Sequence, residues 1–165
     1  MKIAAVIVSR KGSKRILHKS KKRIKNLNLI ERKISQLKKV KLLDKIYLGT
    51  NDVSLKKLAT KYKINFVKRE EKYCDEKKTN AIEMVKNMLQ YVDAEIILWA
   101  HATNPFIDHK IYTDAIKIFK KSIFNYDSLF SVSTLKNHFW DDKKRPINHN
   151  PFSKKHVIAS ELKPI

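Results

Sequence analysis

The residues best suited to chemistry lie together in Ser9-Arg10-Lys11-Gly12-Ser13-Lys14-Arg15-Ile16-Leu17-His18-Lys19-Ser20. A loop of this composition can hold phosphate. Gly12 lets backbone approach an anion closely, main-chain N–H groups can point at it, and Arg10, Lys14, Arg15 and Lys19 can neutralise it. The loop follows Lys2-Ile3-Ala4-Ala5-Val6-Ile7-Val8, an apolar run with the length and β-branched content of a buried strand. The same residues also suit a solvated basic turn, because a strand followed by a basic loop is by itself a weak discriminator.

The elements downstream decide how that loop is used. Leu27, Ile30, Ile34, Leu37 and Val40 recur at three- and four-residue steps, predicting a helix of about 12 residues capped by Asn28. Ile46–Thr50 reads as a second strand, and Asn51-Asp52 opens a helix through Leu55, Leu58 and Ala59 to Lys61. Ile64–Val67 is a short third strand, and the polar residues 68–78 read as a mobile loop. Thr79 or Asn80 caps a helix with Ile82, Val85, Met88 and Leu89 on one face. Glu95–Ala100 is a fourth strand ending in the turn His101-Ala102-Thr103-Asn104-Pro105. Asp108 caps a helix carrying Ile111, Ala115, Ile116 and Phe119, and Ser128–Ser133 reads as a fifth strand. The pattern fades from Lys136 onward.

Strands alternating with helices predict an α/β fold: a mostly parallel central sheet with helices on both faces, in three α/β/α layers. In such sheets ligands bind beyond the carboxyl ends of the strands. That rule gathers the 9–20 loop, Thr50-Asn51-Asp52 and His101–Pro105 along one rim, and three polar loops at one rim make a site.

With 165 residues, 42 % of them hydrophobic, the chain suits a single globular domain over 1–165. No apolar run approaches the ~20 residues that span a bilayer, and the first residues do not form a signal peptide, so a cytoplasmic protein without membrane attachment is expected. Cys74 is the single cysteine, which excludes an internal disulfide or a cysteine cage for metal. Residues 1–45 hold 16 Lys and Arg against Glu31 and Asp44, a net +14 of the chain's +21. Such charge can be a footprint for nucleic acid. The cations are scattered, however, with no zinc-finger, helix-turn-helix or RNA-recognition signature. A basic mouth for a nucleotide or another small anion accounts for the same charge, so a nucleic-acid module is the lesser alternative.

In order along the chain, these motifs resemble the acylneuraminate cytidylyltransferase family, which makes CMP-sialic acid and related CMP-activated nonulosonic acids. The family's A-R-G-G-S-K-R-I-P-G-K-N loop is similar to Ser9–Ser20, its S-T-D-D turn to Gly49-Thr50-Asn51-Asp52, and its S-S-I-D helix opening to Asn80-Ala81-Ile82-Glu83. Its Q-P-T-S-P turn resembles His101–Pro105, its S-V-S strand Ser131-Val132-Ser133, and its S-Q-D-L-P-P-I stretch Ser160–Ile165. The related KDO enzymes tend to carry S-T-R-L-P-G in the first loop, so Ser13-Lys14-Arg15-Ile16 favours the sialic-acid branch.

The resemblance implies a Rossmann-like nucleotidyltransferase that moves CMP from CTP to an acidic sugar, with Mg²⁺ and release of pyrophosphate. It assigns catalysis to Lys19 and Arg10. Nucleotide binding falls to Arg10, Gly12, Ser13, Lys14, Arg15, Lys19, Ser20 and Asn80, and substrate binding to His101 and Thr103. Lys19 matches the lysine on the reacting phosphate, Ser20 an Asn on the nucleotide, and His101 a Gln on sugar or nucleotide. His101 suits a plain rim histidine equally well. The departures are Lys11 for the first loop Gly, which would bar a left-handed backbone there, Leu17-His18 for Pro-Gly, and His101-Ala102 for Gln-Pro. The family continues past the S-Q-D-L-P-P-I stretch with an E-N-G strand, a dimerisation segment and metal-binding carboxylates. These have no counterpart in the 165 residues, so the metal ligands are unassigned and the family's homodimer is not expected. An inactive nucleotide-binding homologue is a further alternative.

Overall fold

A computed structural model of the chain describes residues 1–12, 19–75, 77–154 and 157–162. Two compact units divide it, Met1–Asp127 and Ser128–Ile165, where the sequence suggests one domain.

The first unit is built on β1 (Ile3–Ser9), whose buried residues alternate between two cores. β1 pairs in parallel with β4 (Lys45–Thr50) on one side and with β6 (Ile96–Trp99) on the other. β5 (Asn65–Lys68) extends the sheet beyond β4, giving the order β5-β4-β1-β6. Ile3, Ala5 and Ile7 face one core with Ile30, Ile34 and Leu37 of α1 (Leu29–Leu37), Ala59 of α2 (Lys56–Tyr62), and Tyr112 and Ile116 of α4 (His109–Ser122). Ala4 and Val6 face the other core with Tyr47, Val67 and Met88 of α3 (Ala81–Leu89). Period-two side chains on strands buried on both faces produce this α/β/α layering, as the sequence predicts.

Helix starts follow the expected chemistry. Asn28, Asn80 and Asp108 each accept a backbone N–H two or three residues into α1, α3 and α4, at 2.8 Å from Glu31, 2.9 Å from Glu83 and 2.9 Å from Lys110. Asp108→Ala is expected to fray the start of α4 and lower the melting temperature, with the sheet unchanged.

Three expectations need correction. Leu27 does not begin α1; it pairs in a hairpin of β2 (Arg23–Ile24) with β3 (Leu27–Asn28), turned by Lys25 at φ 56°. That turn carries no glycine to announce it. On α3, Ile82 and Val85 are 67 % and 37 % exposed rather than inward. Met88 settles the phase of that helix, because its sulfur lies over the bare Cα of Gly49 in β4 and rotates Ile82 and Val85 outward. Finally, Ser128–Ser133 forms no strand; Phe130 and Val132 are 80 % and 77 % exposed. A run mixing polar and apolar residues becomes a strand only where another strand takes up its backbone groups, and among the described residues none pairs with it.

The second unit holds a turn closed by Asp141, which accepts from the Lys143 and Arg145 N–H groups and pairs with the Arg145 side chain at 2.7 Å. His138 and His149 meet edge to face with ring centroids 4.7 Å apart.

Candidate functional site

The carboxyl ends of four parallel strands open on one rim of the first unit. β1 delivers Val8, Ser9 and Arg10; β4 ends in Thr50-Asn51-Asp52; β5 is followed by Arg69; β6 leads into Ala100–Thr103. A cleft of about 290 Å³ lies there, lined by Ser9, Arg10, Lys19, Arg69, Cys74, His101 and Thr103 among polar residues, and by Val8, Leu29, Ile30, Met84 and Ala102 among apolar ones.

Sequence-expected residues converge here from distant positions: Arg10, Lys19, His101 and Thr103 all line the cleft. Lys19 opens a 3-10 helix, Lys19–Lys21, whose following residue Lys22 donates its N–H to the Lys19 carbonyl at 3.1 Å. Ser20 lies in the same turn. Gly12 sits on the exposed loop beyond Arg10 at φ +77°, with open space where a Cβ would be. Among the described residues of this loop, Gly12 holds the left-handed position. Lys11 has no positive φ and is tied to the neighbouring loop through its N–H to Asn51 Oδ1 at 2.8 Å, so the replaced glycine there costs no backbone strain. Ser13, Lys14 and Arg15 lie outside the described residues. Asn80 caps α3 and does not line the cleft; α3 sends Met84 into it instead.

Asp52 stiffens the rim. Its N–H donates to Thr50 Oγ1 at 3.0 Å, and its carboxylate accepts Ser54 Oγ at 2.6 Å and pairs with Lys21 at 2.8 Å. Burial pushes the Asp52 carboxyl up, but Lys21 and Ser54 outweigh it and hold the group below its ordinary 3.8. Among the described residues it is the one buried carboxylate, it is already paired, and no carboxylate lines the cleft. No group of three or more His, Cys, Asp or Glu suited to a metal occurs among them either.

Two lining residues come from the segment that reads as a polar, mobile loop. Arg69 is 4 % exposed; its Nη2 donates to the Met84 carbonyl at 2.7 Å and its Nε to Asn87 Oδ1 at 3.3 Å. Cys74 ends a short 3-10 helix, Glu71–Cys74, and is equally buried. Burial pushes its thiol up, against the pull of the Arg69 guanidinium. Arg69 was legible in principle, because it follows a strand and the carboxyl-end rule applies to β5 as to the others.

The far side of the cleft depends on an unexpected residue. Lys33 of α1 is fully buried, and its Nζ donates to the Asn104 carbonyl at 2.9 Å, the Ile107 carbonyl at 3.2 Å and Tyr112 Oη at 2.8 Å. Burial, with Arg32 alongside, lowers the ammonium to about 8, and burial raises the Tyr112 hydroxyl to about 12. The folded state therefore binds the lysine proton more weakly than the unfolded chain. Stability should rise as pH climbs from about 8 to 10.5, then fall as the unfolded tyrosine ionises first. Urea titrations across this range on the native protein and Lys33→Met check it; the variant should lack the rise.

A cleft bearing Arg10, Lys19 and Arg69 over an apolar wall suits a phosphate-bearing ligand with a flat group. A family model described as Cytidylyltransferase matches residues 4–156. The chain belongs to the cytidylyltransferase family. No curated protein matches it significantly. Among solved structures, this cytidylyltransferase-family chain is similar to a CMP:2-keto-3-deoxy-manno-octonic acid synthetase complexed with CTP. That likeness has TM-score 0.60 at 15 % identity and covers 74 % of this chain and 49 % of that one. A cytidylyltransferase from Leptospira borgpetersenii has TM-score 0.60 at 18 % identity, covering 77 % and 51 %. A 4-diphosphocytidyl-2C-methyl-D-erythritol synthase from Anaerococcus prevotii has TM-score 0.61 at 15 % identity, covering 88 % and 61 %. These likenesses speak for the Rossmann-like nucleotidyltransferase fold, and the chain spans 49 to 61 % of the length of those structures. No helix among the described residues is long and apolar enough to cross a membrane.

Proposed function

We propose that the protein transfers a cytidylyl group from CTP to the anomeric hydroxyl of an acidic, sialic-acid-type nonulosonic sugar. The hydroxyl oxygen bonds to the α-phosphorus and gives up its proton, while the α–β bridging bond breaks and pyrophosphate leaves with the electron pair. The observation that carries this reading is one cleft, in a chain of the cytidylyltransferase family, that brings Arg10 and Lys19 together with His101 and Thr103. Phosphoryl transfer asks mainly for positioning and charge stabilisation, which suits cations held on strand ends. Arg10 and Lys19 would clamp the phosphates, aided by Gly12, Ser13, Lys14 and Arg15 of the same loop. Ser20 is the candidate for the nucleoside, Asn80 acting on the site only by capping α3, and His101 and Thr103 are the candidates for the sugar acid. Mg²⁺ would accompany the nucleotide on its phosphates. The described lining supplies no carboxylate for it, so no step is assigned to the metal.

The test is pyrophosphate release from CTP and Mg²⁺ with a panel of nonulosonic acids, alongside CTP binding at rising salt. Release that depends on an acidic sugar supports the reading. CTP binding without turnover identifies a nucleotide-binding homologue. Failure to bind CTP, with nucleic-acid affinity that collapses as salt rises, assigns the basic surface to the other partner class.

A further inference from the structure

α1 is amphipathic, yet its buried stripe is interrupted by a lysine. Lys33 lies between Ile30, Ile34 and Leu37, all fully buried, and is itself 0 % exposed. Taking an ammonium out of water is costly unless every N–H finds a partner. Here the three N–H groups meet three oxygens, two of them main-chain carbonyls of the segment that follows the cleft turn. Two neighbours on α1 grip the same segment: Arg32 Nε and Gln36 Nε2 donate to the Pro105 carbonyl at 2.9 and 2.8 Å. The turn holds itself only weakly, through Asn104 N–H to the His101 carbonyl at 3.2 Å and Ile107 N–H to the Asn104 carbonyl at 3.4 Å. Its shape is therefore imposed by α1, the helix whose first residues, Leu29 and Ile30, also line the cleft.

We propose that Lys33 is a positioning residue of this site: its ammonium, strapped to the carbonyls of Asn104 and Ile107, holds the His101–Thr103 rim in place against the cleft. Hydrogen bonds from a charged donor are about twice as strong as neutral ones, so the strap outweighs the turn's own long bonds. Arg32 on α1 and Tyr112 on α4 are the titratable groups facing Lys33, and the turn presents only carbonyls to it. Among the described residues no acid offsets the charge. The role in catalysis rests on the proposed reading of the cleft; the strap itself does not.

Lys33→Met keeps the length of the apolar stem and removes the donors, and Lys33→Arg restores a cation. Hydrogen exchange read along the chain of the native protein and both variants tests the strap without any substrate. Expected is about tenfold faster exchange confined to residues 101–107 in Lys33→Met, with β1 and β4 unchanged and partial recovery in Lys33→Arg. In turnover with CTP and N-acetylneuraminate, KM for the sugar acid should rise about tenfold while CTP affinity stays within about threefold. Unchanged exchange at 101–107, or acceleration spread evenly through the sheet, overturns the proposal. Should Lys33→Met fail to fold, Tyr112→Phe removes one partner of the same ammonium and should loosen the same seven residues to a smaller degree; no change there overturns it equally. Native protein that binds no CTP, with the rim loosened in the variant, defeats the functional reading and upholds the strap.

Discussion

Lys19→Ala is expected to lower kcat/KM for CTP-dependent pyrophosphate release by about 10²- to 10³-fold, the usual cost of removing one preorganised partner of a developing charge. The lysine is well placed for that role. It opens the 3-10 helix Lys19–Lys21, half-buried at the cleft, and shares the lining with Arg10 from β1. The turn is fixed by backbone, with Leu29 N–H donating to the Lys22 carbonyl at 3.0 Å as the chain enters α1. Truncating the side chain leaves these bonds intact, so the loss should appear in turnover with the melting temperature unchanged. Lys22→Ala, an exposed cation three residues on, should leave the rate within about twofold and serves as the control for net charge. Equal rates in native protein and Lys19→Ala would sink the assignment.

Gly49→Val should be the most destabilising surgical change in the sheet, on the order of 3 kcal/mol. Gly49 is the penultimate residue of β4, paired with Val8 of β1 on one side and Val67 of β5 on the other. A Cβ built there runs into Met88 Sδ and comes within 3.1 Å of Met88 Cε and of Arg69 Cδ. Met88 is fully buried and Arg69 is tied to the Met84 carbonyl, so moving either side chain costs packing or a hydrogen bond. The valine must push α3 off the sheet or displace the Arg69 guanidinium from the Met84 carbonyl. Both disturb the cleft wall, so nucleotide affinity should fall with stability. Thermal melts of Gly49→Ala and Gly49→Val should show a graded loss. A Gly49→Val melting temperature equal to that of the native protein would show that Met88 does not fill this notch.

The parts of the site legible in the sequence are those that depend on local chemistry. Asn28 and Asp108 announced helix starts, and the β-branched run of β1 announced a strand buried on both faces, whereas the left-handed residue fell at Gly12 and not at position 11, where the family carries its first loop Gly. The carboxyl-end rule then placed Arg10 and His101 on one rim although 91 residues separate them. Cys74 and Arg69 were missed for the opposite reason. Their neighbours Lys68 to Lys78 are nearly all polar, and polarity within a segment reads as solvent exposure when the burial comes from another element. The Ser128–Ser133 run was overread because its composition suits a strand that, among the described residues, nothing pairs.

The sequence by itself determined the layer order and the strand ends on which a phosphate-binding rim could form, because hydrophobic period and caps act within a few residues. Only the tertiary structure decided that Met88 fills the notch at Gly49 and turns Ile82 outward, that Arg69 faces inward, and that Lys33 is a buried strap rather than a solvated charge. Each of these depends on partners from 15 to 79 positions away, Met84 for Arg69 and Tyr112 for Lys33 among them. A lysine's propensity and charge are the same in water and in a core, and what sets its role is which carbonyls the fold brings within its reach.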